Sequence, residues 1–340
     1  MKKKSNSSVK IIDHEGFPKN DVRYILENRR FNENYCFLCA EPLNEKNTTS
    51  EHVIPRWAQK RFDLWHQKIT LLNGSSIPYR YLTVPCCEKC NKGQLQPIES
   101  LVSSAVIEGS DAVRKLGNKV IFLWLSKIFF GLLYKELFLS FDRKDLESKK
   151  IFEPELIKDY EGLMFFLQEV RGKIETVDFC PGSIFVFKTK KYDNIKLQWD
   201  FTDNIDFWII GIRMGSVGII ASLGDGGAQN AVDSLDHLMD YCLNRDQFRE
   251  LCAVVSYRST LATRVPKHIS INGPEDEVIK TYQLPLMGYS MKPLFEDWDF
   301  DVYAKHLHHF TGLSINEIRP NSNSIRSFIY DEFGNLQSSN

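Results

Sequence analysis

The chain has 340 residues, of which 43% are hydrophobic and 26% charged, with a formal net charge of -1. Such a composition supports a sizeable core and excludes a disordered or collagen-like chain, and near-neutrality confines any polyanion site to a local patch. Eight cysteines in a chain of this length, with no apolar segment following Met1-Lys2-Lys3-Lys4-Ser5, do not read as a secreted disulfide framework and point to a reducing cytoplasm.

Residues 1–15 are rich in Lys, Ser and Asn and are expected to be loose. Gly16-Phe17-Pro18 marks a turn, and Asp21 to Arg30 reads as a short helix with Val22, Ile25 and Leu26 on one face. Next come Cys36-Phe37-Leu38-Cys39, then Glu51-His52-Val53-Ile54-Pro55, then Cys87-Glu88-Lys89-Cys90-Asn91. Two residues between cysteines let both thiolates of a knuckle reach one ion, so Cys36, Cys39, Cys87 and Cys90 are expected to complete a structural zinc site. Cys86 precedes Cys87, but only Cys87 gives the matching spacing. A four-thiolate shell is closed, which leaves Glu51, His52 and Asn91 for chemistry.

Over roughly residues 31–100 these segments resemble the HNH endonuclease family, whose ββα-metal core often carries two Cys-x-x-Cys knuckles around an acidic-His-(Ile/Val)-x-Pro segment. The resemblance implies that His52 is the general base, Glu51 the acidic ligand and Asn91 the terminal ligand of a catalytic Mg2+ or Mn2+ ion. Glu99, eight residues past Asn91, resembles the glutamate of one subgroup and is a second-rank ligand candidate. The roles also suit the residue types: histidine titrates near neutral pH, and oxygen donors suit a hard divalent ion. Many members place an asparagine shortly before the second knuckle; here that stretch reads Tyr79-Arg80-Tyr81-Leu82-Thr83-Val84-Pro85, and Asn73 lies too far upstream to replace it. Asn91 is also suited to a helix N-cap.

The segment leans basic, with Arg23, Arg29, Arg30, Arg56, Lys60, Arg61, Lys68, Arg80, Lys89 and Lys92. Arg56, Lys60 and Arg61 follow the Glu-His dipeptide and are expected to contact nucleic-acid phosphates.

Beyond Pro97, Ile98 to Leu116 and the more apolar Val120 to Phe141 read as helices, the second a buried central helix because Lys127, Lys135 and Glu136 interrupt any membrane span. A further helix is expected from Glu153 or Pro154 to Val170. Strands follow at Ser183 to Lys188 and Ile195 to Phe201, then a hairpin of Phe207 to Arg213 and Val217 to Leu223 about Gly215-Ser216. The loop Gly224-Asp225-Gly226-Gly227 lacks the Lys-Ser/Thr of a nucleotide site. Helices are expected over Gln229 to Leu243 and Asp246 to Thr260, buried thiols at Cys180, Cys242 and Cys252, and a solvated helix carrying His306, His308 and His309.

The expected architecture is α+β: an HNH nuclease module over 17–100, a helical hub over 101–175, an α+β accessory region over 176–320 and a loose tail over 321–340. The expected substrate is DNA. An accessory part larger than the module suggests regulation, by a protein partner or homo-oligomer, as in restriction or anti-phage effectors that the chain resembles. The competing readings are a zinc-stapled DNA-binding protein without chemistry and an RNA-cleaving nuclease of the same fold. No membrane association is expected.

Overall fold

The computed structural model describes residues 32–137, 139–145, 148–151, 160–232, 235–272, 278–285, 292–322 and 324–338. The loose N-terminus, the turn at Gly16-Phe17-Pro18, the helix over Asp21 to Arg30 and the start of the helix at Glu153 or Pro154 lie outside the described residues.

The stretch between the knuckles folds as two short strands separated by an excursion. Strand β1 (Thr48–His52) leads through Pro55 into helix α1 (Arg56–Arg61) and a hairpin of β2 (Lys68–Thr70) and β3 (Ser76–Pro78). Strand β4 (Thr83–Cys87) then returns antiparallel to β1, with Glu51 opposite Val84 and His52 opposite Thr83. A π-helical turn over Lys89–Leu95 runs into α2 (Gln96–Glu108). The helix expected to Leu116 breaks at Gly109, whose φ of 115° suits glycine alone, and resumes as α3 (Ser110–Lys115).

Helix α4 (Asn118–Glu136) is buried on nearly every side, as its apolar circumference requires. Among the described residues no helix is long and apolar enough to cross a membrane. After α5 (Glu161–Leu167) and β5 (Ile174–Val177), the strands β6 (Ser183–Lys188), β7 (Trp199–Asn204), β8 (Ile209–Met214) and β9 (Val217–Ser222) form an antiparallel sheet in the order β6-β9-β8-β7. Beyond it lie α6 (Asp236–Met239), α7 (Arg245–Leu261), β10 (His268–Asn272), β11 (Ile279–Gln283), α8 (Phe300–Thr311) and α9 (Ile315–Ile318); β5, β11 and β10 make a second small sheet.

The protein is therefore mixed α and β, and the four-stranded sheet sits between two apolar layers. Ile184, Val186, Ile210, Ile212, Ile219 and Ala221 join a core that continues through α4 to both knuckles. Phe185, Phe187, Ile209 and Ile220 face α7 and α8. Burial on both faces explains why these strands read as continuous apolar runs rather than alternating ones.

Three segments depart from the sequence expectation for local reasons. Ile195–Leu197 forms a 3-10 turn because the Asn194 side chain accepts from Lys196 N, so β7 starts only at Trp199. Within the span expected as one helix from Gln229 to Leu243, the described residues form only short turns at Asn230–Val232 and Asp236–Met239, and Asn230 spends its amide on both backbone groups of Ile184. The tail expected to be loose is docked: the buried Glu250 carboxylate accepts from Ser327, Phe328 and Ile329, and Ile329 is buried with it. Of the three thiols expected to be buried, only Cys252 is; Cys180 is half-buried and Cys242 exposed.

Candidate active site and metal centre

The first knuckle is tied to β4 by Phe37 N donating to Pro85 O, and the second is formed where β4 ends and the π-helical turn begins. This brings the sulfurs of Cys36, Cys39, Cys87 and Cys90 within 4.8 Å of one another, all four residues buried. A tetrahedral ion with metal–sulfur bonds of about 2.3 Å has sulfur–sulfur edges of about 3.8 Å. Cys39 and Cys87 are separated by 3.8 Å. Hydrogen bonds from Cys39, Cys86, Cys87 and Cys90 hold the Cys36 thiol far below its ordinary range, while its proximity pushes Cys39 and Cys90 up. Thiols this close cannot all ionise without a cation, so the donor set fits a metal ion. Cys86 stands beside this group, with its sulfur 3.9 Å from that of Cys36 and 3.5 Å from Cys87 O. Among the described residues no other group of three or more His, Cys, Asp or Glu side chains could share an ion.

His52 ends β1 half-buried, its ring 6.2 Å from that of Trp65. Burial first, and then the charges of Arg56 and Lys127, lower its pKa to about 4. The imidazole is therefore unprotonated at neutral pH, the state a general base requires.

Glu51, the preceding residue, turns the other way and is 6% exposed. Its carboxylate meets the ammonium of Lys127, which reaches down from α4. The same ammonium contacts Glu99 Oε1 at 2.8 Å and His52 O at 2.6 Å, with Val53 O at 3.4 Å. The helix can approach this closely because residue 131 is glycine: a Cβ there would lie 3.1 Å from a Val53 methyl. Burial would depress the Lys127 ammonium, but the two carboxylates more than offset it and its pKa is raised. Burial pushes the Glu99 carboxyl up, opposed by Lys127.

Asn91 lies in the π-helical turn and donates its amide to Thr49 Oγ1 at 3.1 Å and Ser50 O at 3.4 Å. The structure thus brings Glu51 and Glu99 together, and sets Asn91 against the same strand through residues 49 and 50. As the side chains stand, this donor set does not fit the divalent ion that the sequence resemblance implies, because both carboxylates already bind Lys127 and Asn91 presents N–H groups to the strand.

Arg56, Lys60 and Arg61 lie exposed on the outer side of α1, while Ala58 and Gln59 face inward. In the stretch before the second knuckle, Arg80 donates to Trp65 O at 2.9 Å and contacts His66 Nδ1 at 2.9 Å. Asn73 instead closes the β2-β3 turn, accepting from Ser75 N and donating to Ser140 O. The three C-terminal histidines diverge: His306 meets Ser256 Oγ, His308 meets Leu313 O and His309 meets Asp203 O. Arg23, Arg29 and Arg30 lie outside the described residues.

Sequence reasoning missed Lys127, Trp65 and Arg80. A lysine in the middle of an apolar helix was a signal, since a buried ammonium requires buried partners. For Trp65 and Arg80 nothing in the local pattern marked the contact. Compared with protein-family models, curated proteins and solved structures, the chain matches none.

Proposed function

We propose that the segment from Cys36 to Glu99 is an HNH-type nuclease module and that the protein is a DNA endonuclease, with His52 as general base. The observation that carries this reading is the half-buried His52 imidazole at the end of β1, followed by exposed cations on α1, on a strand whose opposite end pairs with Cys87 of the cysteine cluster. His52 takes a proton from water, the water oxygen attacks phosphorus, and the bond to the 3′ oxygen breaks, leaving a 5′-phosphate and a 3′ oxygen that takes up a proton from solvent. Zinc is the proposed ion of Cys36, Cys39, Cys87 and Cys90, because it favours a closed tetrahedral thiolate shell. No step is assigned to the Mg2+ or Mn2+ ion of the sequence resemblance. The remainder of the chain is proposed to regulate the module in a cytoplasmic restriction or anti-phage setting, through a protein partner or a second copy.

A second reading, a zinc-stapled DNA-binding protein without chemistry, is favoured by one observation: Lys127 already occupies the carboxylates that would bind a catalytic ion. One experiment separates them. Wild type and His52→Ala are incubated with plasmid and with total RNA, each with Mg2+, Mn2+ or EDTA. The nuclease reading expects cleavage of plasmid that falls by about 10² to 10⁴ in the variant, the usual worth of a general base. Cleavage of RNA alone moves the substrate class, and no cleavage under any condition favours the binding reading.

A further inference from the structure

Glu51 from β1 and Glu99 from α2 aim their carboxylates at one point, directly behind the backbone of His52. That point holds a cation supplied by the chain itself. The Lys127 ammonium has three protons, and it has a Glu51 oxygen, Glu99 Oε1 at 2.8 Å and His52 O at 2.6 Å to receive them. The Lys127 side chain is 2% exposed, against 8% for Glu51 and 19% for Glu99. Its helix lies close on the strand end, where a Cβ at Gly131 would sit 3.1 Å from a Val53 methyl. A magnesium or manganese ion bound to the same oxygens would sit about 2.0 to 2.2 Å from them, within contact of the ammonium and with like charge.

We propose that Lys127 is the resident cation of the Glu51–Glu99 pair, a tethered ammonium that closes to divalent metal the site that two carboxylates prepare beside His52. The pair holds the lysine, and the lysine in turn fixes the carbonyls of His52 and Val53, so the strand end that carries the imidazole is set from α4. Removing the ammonium leaves two facing carboxylates and two backbone carbonyls, an oxygen cage of the kind a hard divalent ion takes.

The test reads Mn2+ binding to the full, zinc-loaded chain by electron paramagnetic resonance, comparing wild type, Glu99→Gln, Lys127→Met and Lys127→Met/Glu99→Gln. The expected result is no difference between wild type and Glu99→Gln, and one new Mn2+ site in Lys127→Met, at least tenfold tighter than any wild-type binding, that the double variant loses. A wild type that binds one Mn2+ ion lost in Glu99→Gln overturns the proposal, as does a folded Lys127→Met that gains no site. Should Lys127→Met fail to fold, the first comparison still stands, because it keeps the lysine and alters the less buried acid. The readout needs no cleavage, so a protein that cuts nothing refutes the nuclease reading and leaves this test intact.

Discussion

The His52 imidazole and the Trp65 indole are stacked 6.2 Å apart, centroid to centroid, with their planes 26° from parallel. Trp65 is in turn fixed by its backbone carbonyl, which accepts from Arg80 at 2.9 Å. Arg80 thus braces the loop beside His52. A hydrogen bond to a charged group is worth about 1.5 to 3 kcal/mol, and small misplacements of a catalytic group can cost about 10²-fold in rate. Arg80→Ala is therefore expected to lower the cleavage rate roughly 10- to 100-fold while leaving DNA affinity and the circular dichroism spectrum close to wild type. An unchanged rate would mean that Trp65 holds its place without this bond.

On the proposed nuclease reading, the pH dependence of cleavage follows from the same imidazole. A general base works when unprotonated, so activity rises with pH through its pKa and is flat above it. Burial and the Arg56 and Lys127 charges place that value at about 4, below the ordinary histidine value of about 6.5. The expected profile of kcat/KM is flat across neutral pH, with an acid limb well below 6.5. An acid limb centred near 6.5 would show an imidazole exposed to solvent.

The cysteine cluster should carry the stability of the segment around it. Apparent binding energies of structural zinc sites are about 10 to 16 kcal/mol, comparable to the stability of a whole domain. Purified protein should contain one zinc ion per chain, and Cys39→Ser should lose it and melt at markedly lower temperature. Cys86→Ser, at the sulfur that stands beside the group, should keep the metal. Equal zinc content in Cys39→Ser and wild type would remove Cys39 from the ligand set.

What the sequence disclosed was whatever depended on spacing. The two knuckles meet because each closes over two intervening residues, and the β8-β9 hairpin forms about Gly215-Ser216 because both flanking runs are apolar and a positive φ is needed at Gly215. The site behind His52 was not legible in this way. Glu51 and Lys127 are far apart in sequence, and their pairing depends on how closely α4 lies on Val53, which a single glycine permits. The docked tail was hidden for the same reason: its Ser- and Asn-rich composition gives no sign of the carboxylate on α7 that collects its N–H groups.

Away from the candidate site, one buried carboxylate ties the sheet to α7. Asp200 Oδ2 accepts from Arg213 Nε at 2.7 Å, and Oδ1 accepts from Arg245 Nε at 2.7 Å and Arg249 Nη2 at 2.8 Å. The Arg213 side chain is 0% exposed, so without Asp200 its charge is left buried and unpaired. Breaking such a pair costs roughly 3 to 5 kcal/mol. Asp200→Asn should lower the urea midpoint accordingly, and adding Arg213→Met should recover part of the loss, because no buried guanidinium then remains uncompensated. A single variant as stable as wild type would show that the arginines find other partners.

The three cations of α1 separate two roles that a simple loss of activity would confuse. Arg56, Lys60 and Arg61 are all exposed on one short helix. If each neutralises one phosphate, the slope of log affinity against log salt should flatten by about 0.9 per residue for duplex DNA. The triple alanine variant should therefore bind more weakly at low salt and approach wild type at high salt. Arg56 has a second effect, because its charge is one of those that depress the His52 pKa. Arg56→Ala alone should shift the acid limb of the cleavage profile upward, whereas Lys60→Ala should change the salt slope and leave that limb in place. The two measurements come from different experiments, a binding titration and a pH series. A salt slope unchanged in the triple variant means that α1 does not face the nucleic acid, whatever the pH series shows.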